Sequence, residues 1–370
     1  MTVLVTARTA SLLVAPFLSL IFTSMSPGIL AVRDRGGYYV TSSRIRSRTA
    51  SALERSLHHA SSDGASWCYT LDQALTLYAN AASDHLWDDI TDVIRHGMTS
   101  DTRENVGQWM SRKCDTAMWR RFVKLAPYPS CQAGGRPSLI HSPACAGLRT
   151  CAQRHGRNAT YTPHIAIIVG ATTRKVVAPS TKNMALFTLS LPSIAKTVEC
   201  GFRYTVFLGY DAGDAFFDSP TGVETLRAWF QANVRRPLLE RGIDIDVTPV
   251  RVKNASSKPG PVFNAVALQA QSAAVDFFYR INDDTLMLTP WAGAYACSLC
   301  SLGPPYGVVG PVESVRVDIL THDFVHAMHL DIFHEYYPGF LTDWWLDDWI
   351  SKVYGPARSY RLAEVKVREV

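Results

Sequence analysis

Two hydrophobic periods alternate along this chain, and the places where one gives way to the other divide it. From Trp67 to about Trp119 apolar residues recur at helical intervals (Leu71, Leu75, Tyr78 and Ala79, then Leu86, Ile90, Val93 and Ile94), which predicts a few helices. At His164-Ile165-Ala166-Ile167-Ile168-Val169-Gly170 the pattern becomes an unbroken apolar run, the mark of a strand covered on both faces. A helical stretch from Asn183 to Glu199 follows, closed by Cys200-Gly201. Tyr204 to Tyr210 then reads as a strand, Val223 to Arg236 as a helix, Ile245 to Val252 as a strand and Pro261 to Val275 as a helix. The next apolar run, Phe277-Phe278-Tyr279-Arg280-Ile281, stops in Asn282-Asp283-Asp284. Such alternation predicts an α/β domain of right-handed crossovers around a mostly parallel central sheet flanked by helices. Gly307 to Pro311 adds a strand and turn, and a tryptophan-rich helix follows Pro338.

The flanks read differently. No charged residue lies between Arg8 and Arg33, and Leu12 to Phe22 is densely apolar, as in a signal anchor or a cleaved signal peptide. Residues 32–66, rich in Arg, Ser, Ala and Gly, have the composition of a stem, and the stretch from Lys124 to Asn158, rich in Pro, Gly and Cys, that of an irregular connection. The expected organisation is therefore a targeting segment over 1–31, a stem over 32–66, a helical and Cys/Pro-rich region over 67–160 and the α/β domain over 161–370. The expected setting is the secretory pathway, in the Golgi or ER lumen, either anchored as a single-pass type II membrane protein or secreted after cleavage. Sequons at Asn158 and Asn254 fit a lumenal body, whereas Arg33 and Arg35 beyond the apolar segment do not.

Composition narrows the partners. With 47% hydrophobic residues, 19% charged residues and a formal net charge of +5, the 370-residue chain is globular and mildly basic. Small anions or a membrane surface suit that balance, but no basic run with interleaved aromatics suggests a nucleic-acid groove. The 8 cysteines include a single C-x-x-C, Cys297 to Cys300, without the second pair that a zinc site would need. Disulfides are compatible with the count, and their pairing stays open.

Asn282-Asp283-Asp284 is the stretch that asks for chemistry. Adjacent carboxylates repel, so a site that keeps both ionised supplies a cation. Ligands of open α/β sheets bind beyond the carboxyl ends of the strands, where these residues would sit. Oxygen-only ligands suit Mn²⁺ or Mg²⁺.

From His164 to about Tyr354 the chain resembles the nucleotide-sugar glycosyltransferases of the GT-A fold, whose D-x-D-type motif would here read Asn282-Asp283-Asp284 after a helix that begins with Pro261 and Asn264. The resemblance implies a nucleotide-sugar donor held through a divalent ion. Asp284 would be the principal metal ligand, and Asp283 would contact metal or ribose. Thr172, Arg174, Asp211, Lys258, Asn264 and Asn282 would line the donor site, with Arg174 or Lys258 meeting phosphate charge. Members of the fold often draw a third metal ligand, commonly His, from the segment after the base helix. No histidine follows His334, so that ligand is missing, replaced by water or lost through truncation.

Inverting transferases need a carboxylate to take the acceptor's proton, and Asp347 or Asp348, at the start of a helix, resembles that base, with Asp348 preferred. Trp344 and Trp345 offer flat faces to a sugar acceptor on a glycan, protein or lipid, and His322 would lie beside them. Two alternatives remain. One is a non-catalytic carbohydrate-binding protein on the same fold. The other is a zinc hydrolase, since His322-Asp323-Phe324-Val325-His326 has the spacing of H-E-x-x-H with Asp in place of Glu, and His329, Asp347 or Asp348 as third ligand.

Overall fold

The computed structural model describes residues 116–131, 161–254, 257–303, 305–313 and 318–369, together with helical positions between 71 and 91, three cysteine-region positions and a neighbouring residue between 145 and 151, and a short pairing near the N-terminus. The chain divides into Met1–Arg55 and Ser56–Val370. In the first unit Val32–Arg33 pairs antiparallel with Tyr39–Val40. The expected targeting segment, most of the stem and the sequon at Asn158 lie outside the described residues. Among the described residues no helix is long and apolar enough to cross a membrane.

In the second unit the elements are α1 (Thr116–Leu125), β1 (His164–Ala171), α2 (Leu191–Thr197, entered through a π turn at Leu186–Ser190), β2 (Arg203–Asp211) and α3 (Gly222–Phe230). A π turn at Gln231–Arg235 leads to α4 (Arg236–Leu239), β3 (Asp244–Val252), α5 (Pro259–Ser272), β4 (Phe277–Asn282) and β5 (Thr285–Met287). The rest is α6 (Ala292–Cys300), β6 (Val308–Glu313), β7 (Asp323–His326), α7 (Met328–Phe333), α8 (Leu346–Val353) and β8 (Ser359–Glu369).

Eight described strands form one sheet in the order β3-β2-β1-β4-β7-β6-β8-β5. Its first half is parallel, with Ile165 against Phe277 and Gly170 against Asn282 in the β1–β4 register. The second half is mixed: β7 runs antiparallel to both β4 and β6, and β5 antiparallel to β8. This corrects the mostly parallel sheet expected from the sequence. The reason lies in β7, whose 4 residues are all buried. A segment of four residues, two of them Asp and His, carries no period that separates strand from helix.

The apolar strands fill both faces because their side chains alternate. Ile165, Ile167 and Val169 of β1 join Phe277, Tyr279 and Ile281 of β4 in one core, packed under α2, α3 and α6. Ala166, Ile168 and Phe278 face a second core, with Val262, Phe263, Val266 and Ala267 of α5 and with Leu346 and Ile350 of α8. Helix α5 lies unusually close to β2, where a Cβ on Gly209 would stand 2.4 Å from Val266 and 2.6 Å from Val262. Only glycine admits that approach.

Among the described residues, the cysteine pairing left open by the sequence is Cys131–Cys200, Cys145–Cys297 and Cys151–Cys300; Cys68 and Cys114 lie outside them. Both members of the C-x-x-C sit on α6 and reach back to the segment that precedes β1. A Cys151→Ser/Cys300→Ser variant should lose about 2–5 kcal/mol of stability, because the link closes a long loop in the unfolded chain. Thermal unfolding without reductant measures it, and an unchanged midpoint would mean that this link adds nothing.

Candidate functional site

The chain lays down β1, β2 and β3 in one direction and then returns to place β4 on the other side of β1, so the connections leaving the paired carboxyl ends of β1 and β4 run to opposite sides. A pocket of about 300 Å³ opens there. Thr172 comes from the end of β1, Asp211 from the end of β2, and Asn282, Asp283 and Asp284 from the end of β4. Ser257 and Lys258 close one side, and Val262 and Phe263 of α5 supply an apolar wall. The expected donor-site residues Thr172, Arg174, Asp211, Lys258 and Asn282 therefore meet Asp283 and Asp284 in one place. Glu369, from β8, joins them.

The acids are crowded. Burial, followed by the neighbouring Asp284 charge, raises the Asp283 carboxyl to about 7, although the Thr172 N–H donates to it at 3.3 Å. Burial also raises Asp284, and burial and then Asp284 raise Glu369, whose carboxylate accepts from Asn282 Nδ2 at 2.6 Å. None of the three forms an ion pair with a described basic residue. The nearby cations have other partners: Arg174 donates to Asp211 at 3.0 Å and to the Ser257 carbonyl at 2.7 Å, and Lys258 pairs with Asp343 at 2.5 Å.

The loop after β1 is held by Asp214, which accepts from the Thr173 N–H at 2.8 Å and from its hydroxyl at 2.9 Å. The start of α5 lines the pocket but offers few amides, because Pro259 and Pro261 have no N–H and Gly260 donates to the Thr342 carbonyl at 2.8 Å. Positive charge on that wall comes from Lys258. Asn254, the second sequon, donates through its amide nitrogen to Asp211 and to the Lys258 carbonyl, both at 2.9 Å. In this arrangement its two amide hydrogens are already committed.

Behind the pocket, β4 carries a buried guanidinium. Arg280 donates to Asp323 at 3.0 Å, to the Tyr337 hydroxyl at 2.8 Å, to the Thr321 carbonyl at 2.6 Å, and to Asp347. Burial alone would lower its pKa, but Tyr337, Asp347 and Asp323 together lift it well above the ordinary value, so it stays charged. Asp323 also accepts from Tyr336 at 2.5 Å and from Tyr337 at 2.9 Å. The two candidate bases thus differ: Asp347 is bound to Arg280, whereas Asp348 has only the exposed Lys352 at 3.1 Å. Neither lines the 300 Å³ pocket. Trp344 and Trp345 are 81% and 68% exposed, beside Phe340 at 83%. Trp345 holds a left-handed φ of 75°, costly for a bulky side chain.

Several expected residues stand elsewhere. Asn264 brackets the Tyr337 backbone, donating to its carbonyl and accepting from its N–H at 2.8 Å each, and does not line the pocket. His322 is wholly buried, with its ring nitrogens engaged by Thr285 at 2.7 Å and Thr321 at 3.0 Å, so it offers no surface to an acceptor. The zinc-protease reading fails on geometry, because His326 lies in strand β7 and His322 directly precedes it. An extended segment separates residues four apart by about 13 Å. His326 is further engaged by the Cys151 carbonyl and the Met328 N–H, and His329 by Tyr354 and the Tyr336 carbonyl.

In charge and donor type the pocket acids are of the kind a hard divalent cation takes. Three carboxylates without basic partners, all with oxygen donors, are what such an ion compensates. Among the described residues no group of three or more His, Cys, Asp or Glu could hold a metal by itself, so part of the coordination shell would come from water or a ligand's oxygens. Neither Glu369 nor the network around Arg280 was anticipated from the sequence. The available signal was the alternation Val365-Lys366-Val367-Arg368-Glu369, which marks a terminal strand ending in an acid.

No protein-family model matches the chain, and no curated protein matches it in sequence. Among solved structures, the crystal structure of S. aureus TarS aligns with a TM-score of 0.32 and 9% identity, covering 56% of this chain and 35% of that one. The crystal structure of UDP-glucose pyrophosphorylase complexed with UDP-glucose aligns with a TM-score of 0.30 and 11% identity, covering 56% and 90%. The chain spans about a third of the length of TarS. Likenesses at this level do not bear on its activity.

Arg280→Met should destabilise the fold by about 3–5 kcal/mol, because it strands Asp323 in the core without its cation. Asp347→Asn should cost less, its carboxylate being partly exposed; equal losses in denaturant unfolding would contradict this. His329 sets an acid limit. Burial lowers its pKa to about 4, so the unfolded chain protonates first as the pH falls. Its contribution is complete above pH ~6.5 and is lost on descending to pH ~4, amounting to about 3 kcal/mol. His329→Gln should flatten that part of the stability–pH curve.

Proposed function

We propose that this chain is a metal-dependent glycosyltransferase that takes a sugar from a nucleoside diphosphate donor. The observation that carries the reading is the group Asp283, Asp284 and Glu369, three carboxylates without a basic partner among the described residues, beyond the carboxyl ends of β1 and β4. Asp284 and Asp283 would hold Mn²⁺ or Mg²⁺, with Glu369 beside them. The ion would neutralise charge on the leaving diphosphate. Thr172 and Asp211 would face the nucleotide, and Arg174 and Lys258 stand where they can exchange carboxylate partners for phosphate.

Asp348 is the better candidate for the base of an inverting transfer, since Asp347 is tied to Arg280. Trp344 and Trp345 would present the acceptor face. Disulfides persist in oxidising compartments, which supports a secretory-pathway setting.

With Mn²⁺ and a panel of nucleotide sugars, the protein should raise its melting temperature with its own donor and release nucleoside diphosphate. Asp284→Asn should abolish both effects. Asp348→Asn should preserve donor binding and cut turnover by about 10²–10⁴-fold, the share of a general base. If no nucleotide sugar stabilises the protein in any divalent metal, the reading fails.

A further inference from the structure

A second cavity, of about 190 Å³, lies away from the acid cluster. Its apolar walls include Trp87, Phe122 and Val123 on one side and Met287 and Leu288, at the end of β5, on another. Trp87 and Phe122 pack with ring centroids 5.0 Å apart. The hydroxyls that line it are already spent on backbone carbonyls: Thr91 donates to Trp87 and Asp88, Ser193 to Ser190, and Thr197 to Ser193.

Lys196 is the exception. Its ammonium stands 3.3 Å from the centroid of the Tyr128 ring and makes no hydrogen bond or ion pair with another described residue. Asp88 also lines the cavity. Arg241 lies over the same ring at 5.1 Å, so two cations share one aromatic ring. Burial and the Arg241 charge lower the Lys196 pKa to about 8. A half-buried ammonium with unspent donors is costly until an anion meets it.

We propose that this cavity is a second ligand site for a small organic monoanion with a flat apolar body, its acid group on Lys196 and its ring among Trp87, Phe122 and Met287. The size suits a single ring, since an apolar cavity of about 150 Å³ accepts benzene. The remaining space and the free ammonium select for a carboxylate attached to that ring. The inference is independent of the transferase reading, and its readout needs neither a metal nor a nucleotide sugar.

Calorimetric titration of the full chain with benzoate, and with benzyl alcohol as the neutral analogue, tests it. Benzoate should saturate one site and bind about tenfold tighter than the alcohol at pH 7, the factor expected of a hydrogen bond to a charged group. Lys196→Met should erase that preference while leaving alcohol binding intact, and Lys196→Arg should keep it. On the unaltered protein, benzoate affinity should fall as the pH rises through about 8, where Lys196 loses its proton. Absence of saturable benzoate binding, equal affinity for the two compounds, or affinity indifferent to this pH change would each overturn the proposal.

Discussion

Arg280 is the constraint around which the site half of the molecule is assembled. A guanidinium in the middle of a buried strand must have its donors satisfied, and here they draw in three pieces of chain: the segment of Thr321 and Asp323 that runs into β7, the turn at Tyr336-Tyr337, and α8 through Asp347. Each of these pieces closes a long loop from Arg280. Replacing such a network with apolar residues can be neutral, but removing one member leaves a buried charge alone. Its role is therefore better described as fixing where β4 ends than as adding net stability. The end of β4 is where Asn282, Asp283 and Asp284 emerge.

Charge behind the pocket and charge within it are handled differently. On the buried side each acid is matched, Asp323 by Arg280 and two tyrosine hydroxyls. On the pocket side the acids repel one another, and Asp283 sits near neutrality in its titration. Asp323 has a cation and two hydroxyl donors, although burial still raises its pKa, whereas Asp283, Asp284 and Glu369 have no basic partner among the described residues. That contrast, more than any single residue, distinguishes a site from a polar strand end.

Much of this was legible in the sequence. The runs at His164–Gly170 and Phe277–Ile281 announced strands buried on both faces, and the acids closing the second run pointed to the pocket. The antiparallel half was not legible. β7 and β5 are too short to carry a period, and the histidines around β7 imitated helical spacing although they belong to an extended segment. Glu369 was hidden for another reason: it reaches the acids through the pairing of β8 with β5, a contact between distant segments that no local pattern encodes. Asn264 misled because a Pro-and-Asn helix start says nothing about whether the amide turns toward the ligand or the backbone.

The path of β8 has one further implication. Its pairing with β6 is regular from Ser359 to Leu362, breaks, and resumes at Lys366, so that Glu369 arrives opposite Thr285. Alternate residues of a strand face opposite ways, and a slip of a single position would bring Arg368 to the place of Glu369. The irregularity between Leu362 and Lys366 thus works as a phase-setter: the sign of the charge delivered to the acid cluster depends on how many residues it absorbs.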